Sequence, residues 1–190
     1  ILASLFVING VIIIITLNNN HKVSRHLTQV VDPSLQSLND FKSMLILSRE
    51  FSITWVFLRT NDEYKKTLKE IHSTSYPKLK ARLSTSAAKW LEPQLKDSLD
   101  NMFVSFEKVI MQEKTLMNSL RKFDDYDDLV KKFGAEAILE NDIIPGTNSM
   151  LNTLNAITLA QEKVKATEQR KVENAALFMR ILILTLTLSI

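Results

Sequence analysis

Asp124, Asp125, Asp127 and Asp128 form the densest cluster of hard ligands in the chain. Clustered carboxylate oxygens suit a divalent cation. An EF-hand loop needs Gly at its sixth position and Glu at its twelfth, and the run offers neither at that spacing. It reads better as a solvated turn between two helix ends, where a carboxylate favours a helix N-terminus. His21 and His26 miss the i, i+4 spacing of a helical metal pair. His72 stands beside Ile71 and reads as a solvated or edge histidine. No metal site and no cofactor site is expected. G-x-S-x-G, Walker and H-E-x-x-H patterns are all missing from the sequence, so no catalytic residue is assigned and no enzyme is expected on this segment.

A second group is Arg49, Glu50, Trp55 and Arg59. Arginine presents a planar fork to carboxylates, and a cation beside an aromatic ring can hold an anionic ligand. Arg49, Trp55 and Arg59 are therefore the candidate ligand contacts. The competing reading packs Trp55 in a core and leaves the arginines in solvent or in i, i+4 pairs.

These residues must be positioned by helices. The chain has 190 residues, 24 basic and 21 acidic side chains, 3 Gly, 4 Pro and no Cys. Scarce Gly and Pro amid Leu, Lys, Glu and Ala favour long helices. The length suits one domain. A net charge of +3, with the signs interspersed, lacks the basic stripe of a nucleic-acid surface. Absence of Cys removes disulfides and thiol chemistry.

Heptad-like spacing predicts four helices. The first carries Leu38, Phe41, Leu45, Ser48 and Trp55 and ends near Thr60-Asn61-Asp62; Asp32-Pro33 restarts or bends it. The second runs from Asp62 to about Trp90, with a kink or break expected near Ser75-Tyr76 because Pro77 lies inside it. The third opens at Pro93 and carries Leu95, Leu99, Met102, Phe106, Val109, Glu113, Leu116, Leu120 and Phe123; only Glu113 breaks the apolar register. The fourth starts near Asp127 with Leu129, Phe133, Ala137 and Ile138, is interrupted at Pro145-Gly146, and resumes through Met150, Leu154, Ile157, Gln161, Val164, Glu168 and Val172. The fold expected is all-α: an antiparallel up-down-up-down four-helix bundle.

Two apolar runs flank this pattern. Residues 1–17 carry no charge, and 175–190 carry only Arg180. Each reads as a truncated transmembrane helix, and 18–174 as an extracytoplasmic sensor domain between them. The first and fourth helices overrun the second and third, through Asn18–Asp32 and Thr158–Asn174. These polar extensions with thin seams read as a two-helix, membrane-proximal stalk.

A span, a four-helix bundle and a second span resemble the sensor region of bacterial transmembrane receptors, the methyl-accepting chemotaxis proteins and membrane-bound sensor histidine kinases. Ile1–Leu17, Asp32-Pro33-Ser34-Leu35, Ser52 to Leu58, Tyr76-Pro77-Lys78-Leu79 and Glu162–Asn174 carry the likeness. The resemblance implies a homodimer in the bacterial inner membrane, with the central segment periplasmic. It also implies membrane lipid at both ends, a small molecule or periplasmic protein as stimulus, and cytoplasmic output modules. No nucleic-acid partner is expected. The alternative is a membrane-anchored helical scaffold that passes no signal.

Overall fold

The structure is a computed structural model describing residues 2–60 and 62–188; side chains are described from residue 8 onward, apart from those of 186 and 188. Every regular element among the described residues is helical. The helices are α1 (Leu2–His26), α2 (Asp32–Phe57), α3 (Asp62–Glu70), α4 (Tyr76–Ala87), α5 (Pro93–Ser119), α6 (Leu129–Ile138) and α7 (Ile144–Leu188). The chain divides into two compact units: residues 36–159, and residues 1–35 with 160–190.

Three prolines lie within continuous helix, so the restart weighed at Pro33, the break weighed at Pro77 and the interruption expected at Pro145 are absent. Each follows a π-helical turn: Leu27–Val31 before Asp32-Pro33, Ile71–Ser75 before Tyr76-Pro77, and Leu139–Ile143 before Ile144-Pro145. In each the residue preceding proline donates its N–H five residues back, to Leu27, Ile71 and Leu139 carbonyls respectively. Proline cannot donate to the carbonyl four residues back, and its ring would strike it. One extra residue in the turn widens the coil and relieves both problems. Asp32 is accordingly helical, with φ −62° and ψ −46°, and does not cap a restarted helix. The fourth proline behaves as read: Glu92 is extended and Pro93 opens α5.

The π turns also move the seams. After Ile71 the next buried residue is Tyr76, where an unbroken α register would have placed Ser75. In the fourth helix Leu129, Phe133 and Ala137 of the expected stripe face solvent while Ile138 is half-buried against the core, and Ala135, Leu139 and Ile143 are fully buried. Pro145-Gly146 does not interrupt that helix. A side chain at Gly146 would put a Cβ 3.1 Å from Val109 Cγ2, so glycine here serves a close approach of α7 to α5.

Residue pairs within 36–159 run in opposite directions along successive helices. Asp40 pairs with Arg82, and Phe51 stacks on Tyr64 with ring centroids 5.1 Å apart. Lys80 meets Glu107, and His72 meets Glu113. Lys42 bonds Asn155, and Arg49 bonds Asn148. The core centres on Phe41, Tyr76, Phe103 and Phe106, with centroids 4.9 Å apart for Tyr76–Phe106 and 5.6 Å for Phe41–Phe106. Leucines at 38, 45, 68, 83, 99, 116, 120 and 154 are fully buried around it. Burial of this apolar area, worth about 25 cal/mol per Å², is what holds the unit together.

The other unit has a thinner seam. Val30, Val31, Gln161 and Glu168 are buried there. Glu168 lies 3.8 Å from His26 Nδ1, and Lys165 lies 2.7 Å from Asp32. The two flanking membrane spans expected from the sequence find no support here: among the described residues no helix is long and apolar enough to cross a membrane. Of those spans, residues 1–7 lie outside the described side chains, as do residues 186 and 188–190.

Candidate functional site: a cationic cleft above a buried carboxylate

The end of α2, the start of α3 and the end of α5 meet around Trp55. Its ring is buried, and its Nε1–H donates to the Leu120 carbonyl at 3.1 Å. Tyr126, in the 3₁₀ turn Phe123–Tyr126, donates its hydroxyl to the Trp55 carbonyl at 2.7 Å. Lys65 Nζ donates to Tyr126 Oη at 2.9 Å and to the Arg59 carbonyl at 3.0 Å. The same ammonium lies 5.2 Å from the Trp55 ring centroid, and Lys69 covers that ring at 5.5 Å. Arg59 reaches the other way. It pairs with Asp127 and lies 5.1 Å from the Phe123 centroid and 5.7 Å from that of Tyr126. Such cation–aromatic contacts are worth roughly 0.5–1 kcal/mol each where exposed.

A cleft of about 760 Å³ opens over this assembly. Its lining holds six cations, Arg59, Lys65, Lys66, Lys69, Arg121 and Lys122, against one carboxylate, Asp62. Arg59 and Lys65 are committed to the packing just described. Among the described residues no carboxylate lies within ion-pair distance of Lys66, Lys69, Arg121 or Lys122. The volume falls within the range of small-molecule sites. A low-dielectric wall behind like charges focuses their field and attracts anions.

One helical turn away from the cleft on the same helices lies a second polar group. Glu113 is fully buried on α5, four residues before Met117 of the cleft lining. Ser48 donates its hydroxyl between the two carboxylate oxygens, at 2.8 and 3.0 Å. Ser52 Oγ lies 2.9 Å from Glu113 Oε1 and 2.9 Å from the Ser48 carbonyl. His72 Nε2 lies 2.6 Å from Oε2. The His72 side chain is only 4 % exposed, so the expectation of a solvated or edge histidine is corrected. A buried carboxylate must find donors, and α2 and the π turn after α3 supply them. Ser, His and Glu are therefore assembled, but in the wrong order for nucleophilic catalysis. The serines bond the carboxylate and not the imidazole, so neither hydroxyl has a base to activate it.

Of the sequence candidates, Trp55 and Arg59 line the cleft, and Arg49 does not. Arg49 donates to Asn148 Oδ1 at 2.8 Å on another part of the surface. The lysines of α3, together with Arg121 and Lys122, escaped sequence reading because they belong to segments far apart in the chain. Glu113 carried a signal: a lone carboxylate on an apolar seam, with Ser48 on the facing seam. Three of the four clustered aspartates are used in capping and pairing. Asp128 caps α6 by accepting from Val130 and Lys131 N–H, and Asp127 holds Arg59. Asp125 accepts from Lys131 Nζ and the Lys122 N–H, which hold its carboxyl below the usual range. Among the described residues no group of His, Asp and Glu is arranged to hold a metal ion. Comparison with protein-family models, with curated proteins and with solved structures finds no match for this chain.

Proposed function

We propose that this chain is the input module of a bacterial transmembrane receptor of the chemotaxis-receptor or sensor-kinase kind, and that the cationic cleft receives its stimulus. In this reading residues 36–159 are an up-down-up-down bundle, homodimeric and extracytoplasmic. The apolar stretches at the two ends of the sequence enter the inner membrane. The observation that carries the reading is the cleft itself: four cations without carboxylate partners among the described residues, built over an aromatic floor. A packing role alone gives no reason to gather unpaired like charges, which repel one another. The course of α7 adds support, since Ile144–Leu188 is one helix. A stimulus that favours one packing of the bundle biases that helix between two states, and the bias passes toward output modules.

The sequence contains no Cys, so a single introduced thiol reports on location. Thr85→Cys in the full-length protein is expected in the inner-membrane fraction, reacting with a membrane-impermeant maleimide in intact spheroplasts. A protein in the soluble fraction, or a thiol that reacts only after lysis, overturns the receptor reading. Paired cysteines at Leu27 and Val164 address signalling. Crosslinking there that stays constant while cytoplasmic output changes removes the route through the last helix.

A further inference from the structure

We infer that the cleft recognises a small organic anion carrying at least two carboxylate or phosphate groups. The inference rests on the reading of the cleft as a stimulus site and names the chemistry of what enters it. The cations of the cleft fall into those that hold the protein together and those that remain available. Lys65 is spent on Tyr126 Oη and the Arg59 carbonyl, and Arg59 is spent on Asp127. Lys66 and Lys69 remain on α3, Lys69 over the Trp55 ring but with no carboxylate partner among the described residues, and Arg121 and Lys122 remain on the segment after α5.

The available charges thus form two pairs on two separate pieces of backbone. A single carboxylate can be gripped by one pair and leaves the other unanswered. An anion with two or more charged groups answers both. Asp62 supplies only one negative charge to the cleft. Arginine adds a bidentate fork for an oxyanion, and the lysines add point charges that tolerate several geometries. The body of the ligand is organic because the cleft also offers it an apolar surface: Phe123 is 59 % exposed although it lines the cleft. An exposed ring beside unpaired cations suits a carbon skeleton carrying its charges at the ends. A concave site of this volume fits a metabolite-sized molecule and is no track for a polymer backbone.

Calorimetric titration of the full-length protein in nanodiscs tests this with citrate, pyrophosphate, acetate and a decameric glutamate peptide. Citrate is expected to bind at one per protomer, and acetate is not. Pyrophosphate binding beside or in place of citrate also supports two anchored oxyanion groups. Which of the two binds separates carboxylate from phosphate chemistry. Lys66→Gln and Arg121→Gln are each expected to weaken binding about tenfold, the loss of one charge-assisted hydrogen bond. Lys108→Gln, an exposed cation outside the cleft, is expected to change nothing. These three side chains are on the surface, and circular dichroism of each variant confirms its fold. Equal weakening by all three variants reduces the effect to net charge and overturns the inference. Silence with both citrate and pyrophosphate overturns it as well. Binding of the peptide alone overturns it in favour of a protein-docking surface. The thiol-labelling experiment is independent of these titrations. A membrane protein that binds neither small anion loses the ligand and keeps the receptor reading, and a soluble protein that binds citrate does the reverse.

Discussion

The two polar groups of residues 36–159 are built on opposite terms. Around Glu113 one carboxylate oxygen is met by Ser48 and Ser52 of α2, and the other by Ser48 and by His72 of the π turn after α3. In the cleft one turn away, cations outnumber carboxylates and four have no ion-pair partner among the described residues. The first group is closed to solvent and complete, so its role is to fix which faces of three helices meet. The second is open and incomplete, so its charge is available to something else. The lesson is that saturation, more than residue type, separates a structural polar group from a binding one. Ser, His and Glu together look like chemistry, yet here they hold helices in register. Scattered lysines look like surface, yet here they converge.

That contrast can be broken experimentally, beginning with the largest effect. Glu113→Ala leaves His72 and the Ser48 hydroxyl buried without their acceptor, while Ser52 keeps the Ser48 carbonyl. It is expected to cost about 3–5 kcal/mol in urea denaturation, the range for breaking one side of a buried pair. A destabilisation below 1 kcal/mol would mean that water already serves these groups, and the two sites would not differ as described. Replacing Glu113, His72 and both serines together by apolar residues of similar size is expected to recover most of the loss, because no orphaned polar atom remains.

Next in size is Tyr76→Phe. Its hydroxyl donates to Glu107 Oε1 at 3.2 Å and to the Phe103 carbonyl at 3.3 Å. Loss of these bonds is expected to cost about 1 kcal/mol at neutral pH. Burial, with the Glu107 carboxylate adding to it, pushes the phenol well above its usual range. A folded pKa above the unfolded one gives stability that is complete below about pH 10 and drains away as pH rises above it. The variant is therefore expected to flatten the alkaline limb of a stability–pH profile.

Asp125→Asn probes the tip in the other direction. The Lys131 hydrogen bond, then that from the Lys122 N–H, holds the Asp125 carboxyl below the usual range. Its contribution is present above about pH 4 and is lost as pH falls through the lowered folded value. The variant is expected to flatten only the acid limb of the same profile, by a small amount since the pair is exposed. The smallest effect is expected from Lys66→Gln, within about 0.5 kcal/mol of the parent stability. A large loss there would move the cleft lysines into the structural class and erase the distinction.

Much of the helical pattern was legible in the chain. The third helix shows it best: Leu99, Met102, Phe106, Val109, Glu113, Leu116 and Leu120 lie on the expected seam and are buried. The seam fails only at its ends, where Leu95 is half-buried and Phe123 exposed, because periodicity does not say where a neighbouring helix stops. Of the site, Trp55 and Arg59 could be found because they share one helix end. Lys66 and Arg121 could not be associated, since 55 positions separate them in the sequence.

Local sequence thus determined that the protein is helical, where helices begin, and which residues are apolar enough to pack. These follow from periodicity, capping and the geometry of proline, all of which act within a few residues. Tertiary structure decided whether an internal proline breaks its helix or is absorbed. At Pro33, Pro77 and Pro145 it is absorbed by a π turn, and the helix runs on through it. The same holds for His72 and for the lysines of α3. Whether a polar side chain meets a carboxylate, another cation or water depends on which helix lies opposite. Only the assembled core fixes that.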